Sequence, residues 1–131
     1  MALDLSVPDW LNDFVAEWAR RLSLSDWKLT ARLSLCPGDI PDCDGFTDQK
    51  PDTNAATLTF CATIEDTEYW RVVVIHELMH VAHSRIDHVF QCAIRPELPG
   101  EVQTMADTAY RQYVESYVHR MAKSLVAWGE M

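Results

Sequence analysis

Apolar positions recur along the chain at two spacings, and the switch between them outlines the elements. Leu11, Phe14, Val15, Trp18 and Leu22 follow one another at helical intervals, with Pro8 suited to a first turn; they predict a helix over residues 8–22. From Trp27 to Leu35 apolar and polar residues alternate strictly, the mark of a half-buried strand. Ala56 to Cys61 reads as a second strand from its β-branched and aromatic content. Asp66 or Thr67 can cap a helix that runs to about Arg85, with Glu68 in its first turn. Its Val72–Ile75 run would suit a strand in isolation. The wider segment is too long for one and has no internal Gly or Pro. Pro96, Pro99 and Gly100 break the chain before a last helix over residues 101–128. Its stripe is Tyr110, Val114, Tyr117, Val118, Met121, Leu125 and Trp128. This order predicts an α+β domain: an N-terminal helix, a short and mostly antiparallel sheet, a central helix and a long C-terminal helix.

The segment Cys36–Asn54 lacks either period. It holds Pro37, Gly38, Pro41, Gly45, Pro51 and five aspartates, and so reads as a long loop, a feature often tied to function. Asp42 and Asp44 before Gly45 suggest a calcium loop, but the register puts Ile40 and Pro51 at its first and twelfth positions. Solvated loop carboxylates are the better reading.

Composition narrows the function classes. At 131 residues a single domain over residues 1–131 can bury a core without disulfides, and a hydrophobic share of 48% suits a globular chain. The net charge of -9 disfavours nucleic acid and anionic membrane surfaces as partners. The start, MALDLSVPDW, lacks a basic and an apolar leader region, and no segment is long and apolar enough to span a bilayer; a cytoplasmic location is expected. Cys36, Cys43, Cys61 and Cys92 form no CxxC pair and are expected as free thiols, with a Cys36–Cys43 bridge as the alternative.

The chemistry concentrates in His76-Glu77-Leu78-Met79-His80. Residues four apart on a helix share a face, so His76 and His80 aim their imidazoles at one point, as two zinc ligands must. Glu77 lies about 100° round the helix and flanks that point. A carboxylate there can hold an attacking water and take its proton. The competing reading is a pair of hydrogen-bonded core histidines. Val74, Leu78 and Val81 on the opposite face argue for a buried helix, in which paired histidines without a ligand would be costly.

This pentapeptide resembles the signature of the zincin metallopeptidases, and the resemblance extends over about residues 55–125. It implies a small zincin-like domain, similar to minimal gluzincin-like peptidases, some of them encoded by phages and prophages. It further implies a Zn²⁺ cofactor, endopeptidase activity and a peptide or protein substrate. The strand Ala56–Cys61 resembles the edge strand that zincins lay against extended substrate. A catalytic zinc takes three protein ligands. The metzincin continuation would need Gly and His where this chain has His83 and Ile86, and the Gly-Cys-Leu motif of peptide deformylases is missing. His83 shares the His76/His80 face, where it suits a role beside the ligands better than a place among them. Gluzincins take a glutamate from a later helix, and Glu115-Ser116-Tyr117-Val118-His119-Arg120-Met121-Ala122 is similar to their Glu-x-x-Val-x-x-Leu-Ala pattern. The resemblance thus implies Glu115 as third ligand, with Asp107 and Glu101 as alternatives. His119, Tyr110, Tyr113 and Tyr117 are candidates for the oxyanion donor, against a plainer reading of the tyrosines as core and His119 as surface. Two functions follow as expectations. One is zinc-dependent peptide hydrolysis with Glu77 as general base. The other is a catalytically silent, zinc-stabilised binding module.

Overall fold

The computed structural model describes residues 6–129; Met1–Leu5, on which part of the leader-free reading rests, lie outside them. Among the described residues the fold is α+β, with three α-helices and one three-stranded sheet. Helix α1 spans Asp9–Arg21 and buries Leu11, Val15, Trp18 and Ala19, close to the expected stripe. Strands β1 (Lys28–Ser34), β2 (Gly45–Lys50) and β3 (Ala55–Cys61) follow, then α2 (Glu68–Val89) and α3 (Gly100–Gly129). Thr67 caps α2, its hydroxyl accepting from the Trp70 N–H. Beyond Val89 the chain continues through a π-helical turn at Phe90–Ile94 and a 3-10 turn at Arg95–Glu97. The helical path therefore outlasts the expected end at Arg85, because Phe90 is buried and no breaker precedes Pro96. Among the described residues no helix is long and apolar enough to cross a membrane.

The sheet departs from expectation in two ways. Its order is β1-β3-β2, with β1 parallel to β3 and β2 antiparallel to it, so it is mixed rather than mostly antiparallel. The chain leaves β1, crosses to the far side of the sheet as β2, and returns through the four-residue turn 51–54 as β3. Strand β3 is consequently central, paired on both sides, and cannot be the edge strand that the resemblance implied. That position belongs to β2, in a segment expected to be loop throughout.

Alternation decides which side chains of the sheet face inward. Ala56, Leu58 and Phe60 of β3 are buried against the helices, and Gly45, Thr47 and Gln49 are their partners in β2 on the same face. Helix α2 packs on this face and buries Val74, Ile75, Leu78 and Val81. Its other side meets α3, whose buried seam is Val114, Val118, Ala122 and Val126. This seam is narrower than the expected stripe: Tyr117 and Trp128 are exposed, while Tyr110, Met121 and Leu125 pack partly buried at its margins. Helix α2 is thus clamped between β2 and α3, and His76, Glu77 and His80 lie in the middle of it.

Candidate metal centre

Helix α2 sets His76 and His80 one turn apart, with Nε2 atoms 3.2 Å from each other. Across the α2–α3 interface, Glu115 follows directly on Val114, the first residue of the buried seam. Packing of that seam turns its carboxylate onto both histidines. Oε2 lies 3.3 Å from His76 Nε2, and Oε1 lies 2.9 Å from His80 Nε2. All the donor atoms fall within 4.8 Å of one another. Zinc–ligand distances of about 2.0–2.2 Å place the donors of a tetrahedral site roughly 3.3 Å apart. Two imidazole nitrogens and a carboxylate at 2.9–3.3 Å therefore fit a zinc ion in both chemistry and spacing.

The electrostatics agree with the geometry. Hydrogen bonds from His76 and then His80 hold the Glu115 carboxyl well below the usual carboxylate range. Burial of His80 disfavours its charged form, but the facing Glu115 carboxylate outweighs this and raises its pKa above the ordinary 6.5. Protons and a metal cation would compete for the same three side chains.

Glu77 flanks this group and is 7% exposed, a buried carboxylate. Buried charge requires a partner. Here the Thr47 hydroxyl of β2 donates to Glu77 Oε2 in a short hydrogen bond and also lies 3.4 Å from the Glu77 carbonyl oxygen. The Gly45 backbone passes close by: a Cβ on Gly45 would stand 3.1 Å from Glu77 Cγ and 3.3 Å from Oε1. A cavity of about 800 Å³ opens in front of His76 and Glu77. Tyr69, Val72 and Val73 of α2 form one wall, and His119 and Lys123 of α3 line the other. The Tyr69 hydroxyl donates to the Asp44 carboxylate at its rim.

The alternatives to Glu115 lie elsewhere. Asp107 accepts from Arg95 Nε through both oxygens, at 2.8 and 2.9 Å, and is committed to that ion pair. Glu101 is exposed in the first turn of α3, where a carboxylate suits the helix dipole. His83 stands outside the group; its Nδ1 lies 3.1 Å from Asp87 Oδ1, the atom to which the Tyr110 hydroxyl donates at 2.7 Å. Burial and that bond raise the Tyr110 pKa above its usual value. Tyr113 and Tyr117 are exposed and stack on each other, so neither is core. His119 is exposed, in line with the surface reading; its ring lies 6.0 Å from that of His76 and it lines the cavity.

Sequence reasoning missed Thr47 and Gly45. The inward face of β2 is Gly45, Thr47 and Gln49, which carries no apolar period. The signal present was Pro51-Asp52-Thr53-Asn54, a turn that joins β2 to β3 as a hairpin. All four cysteines are free, and burial raises the Cys43 thiol's pKa.

In comparisons with known proteins, no family model, no curated protein and no solved structure matches the chain.

Proposed function

We propose that this chain is a small zinc-dependent peptidase. His76, His80 and Glu115 hold the ion, and Glu77 is the general base. The observation that carries the reading is the convergence of Glu115 on His76 and His80, at 3.3 and 2.9 Å, beside a buried glutamate and an open cavity. A structural zinc site usually closes with four protein ligands, whereas a catalytic one keeps a position open. The group here comprises three residues among those described and borders a cavity large enough for a peptide segment.

Zinc bound there would supply Lewis acidity, polarising the scissile carbonyl and bringing the attacking water's pKa near neutrality. Glu77 then takes a proton from the water as its oxygen bonds to the carbonyl carbon. As the C–N bond breaks, the same carboxyl returns the proton to the leaving amine nitrogen. His119, on the opposite wall, is the donor best placed to stabilise the developing oxyanion. Strand β2, the outer strand beside the cavity, takes the substrate-aligning role that the resemblance gave to Ala56–Cys61. An extended peptide can add to its free edge through main-chain hydrogen bonds.

The test is cleavage of an unstructured protein by zinc-loaded chain, with fragments read by mass spectrometry. Wild type should cut, chelator should stop it, and Glu77→Gln should keep its zinc but lose cleavage. Zinc binding without cleavage by wild type, and no change on Glu77→Gln, would favour the silent binding module.

A further inference from the structure

Glu77 is the only buried carboxylate among the described residues, and no cation is paired with it there. Two of its neighbours in β2, Thr47 and Gly45, are residues suited to it. Thr47 is one residue of a strand whose inward face should by pattern be apolar, since its ladder partner is the fully buried Leu58. It directs a hydroxyl onto Glu77 Oε2 instead. Gly45 shares that face and has no left-handed φ, so its backbone conformation does not call for glycine. The space does: any Cβ would press on Glu77 Cγ and Oε1.

We infer that Thr47 and Gly45 are positioning residues for the general base. Thr47 fixes one carboxylate oxygen by hydrogen bond, and Gly45 leaves the second, Oε1, room to reach the cavity. The arrangement divides the carboxylate's duties: Oε2 is anchored to the sheet, and Oε1 is left for the attacking water. A glutamate carboxylate, free to turn about its side-chain bonds, would otherwise sample orientations that do not face the water, and reaction rates fall steeply with small misplacements. The inference rests on the peptidase reading for its catalytic consequence, but the contact itself is independent of zinc.

The first experiment needs no metal. A double-mutant cycle of Thr47→Val and Glu77→Ala, followed by denaturant unfolding of the metal-free chain, isolates the pair. A hydrogen bond to a buried charge predicts a coupling of about tenfold or more in the folding equilibrium. Thr47→Ser, which keeps the hydroxyl, should retain most of the wild-type stability. In zinc-loaded protein, Thr47→Val should lower kcat about tenfold with KM and zinc affinity near wild type, and Thr47→Ser should restore it. Gly45→Ala should lower kcat in the same way without touching zinc. Coupling near unity in the metal-free cycle, or equal kcat for Thr47→Val and Thr47→Ser where Glu77→Gln abolishes cleavage, overturns the inference. Loss of activity in neither Glu77→Gln nor the Thr47 variants points instead to failure of the peptidase reading, since the metal-free coupling would stand regardless.

Discussion

The Nε2 of His80 lies 2.9 Å from Oε1 of Glu115, across the interface between α2 and α3. Neither helix alone makes this contact. It exists because Val114 and Val118 bury themselves against α2 on either side of Glu115. The candidate metal centre is therefore a consequence of helix packing, and it can be disturbed from either direction.

Removing the charge of Glu115 disturbs it at the ligands. Glu115→Gln should weaken zinc binding strongly, by roughly the 10–100-fold of a lost supporting carboxylate or more. Glu101→Gln should leave affinity unchanged. Asp107→Asn should also spare zinc, because Asp107 pairs with Arg95, and should cost about 1 kcal/mol of stability. Competition titration against a chromogenic chelator separates the three.

Packing offers the second direction. Ala122 is fully buried in the α3 seam, where its small side chain lets the helices approach. Ala122→Leu should cost about 1–3 kcal/mol through overpacking. It should also lower zinc affinity, although Ala122 is not one of the three donor residues. Thermal unfolding with and without zinc, together with the same chelator titration, checks both effects.

The third prediction concerns pH. The Glu115 carboxyl is held below its ordinary value, so its contribution to stability is present above the unfolded carboxylate pKa and is lost as pH falls through the lowered one. The His80 pKa is raised, so its contribution is complete below the unfolded value of about 6.5 and is lost as pH rises through the raised one. Metal-free protein should thus be steadiest in mildly acidic solution and lose stability through neutrality. Zinc replaces the proton, so zinc-loaded protein should not show that alkaline loss, and its affinity should rise over the same interval. Denaturation midpoints from about pH 5 to about pH 9 will show whether the two curves diverge in this sense.

His119 provides the fourth. As an oxyanion donor on the cavity wall, it should be dispensable for zinc and for folding but not for rate. His119→Ala should reduce kcat by about 100-fold. Unchanged kcat would return His119 to a surface role.

Much of this was legible in the sequence. Two histidines four apart on a long apolar helix point at one place by geometry alone, whereas Glu115 was named by the resemblance, with Asp107 and Glu101 left as alternatives. What escaped was β2. Its inward residues, Gly45, Thr47 and Gln49, contact a polar site rather than the core, so the strand has no hydrophobic alternation to betray it. Missing β2 also misplaced β3, which looks like an outer strand only while its second partner is unknown. The alternation failed where the strand turns from building the core to serving the site.

Zinc-edge anomalous scattering from crystals of the zinc-loaded chain tests the central claim most directly. The account predicts a single strong peak within about 2.0–2.2 Å of His76 Nε2, His80 Nε2 and a Glu115 oxygen, with a fourth position open toward Glu77 and the cavity. A peak elsewhere, or a fourth protein side chain closing the coordination at this one, would contradict it.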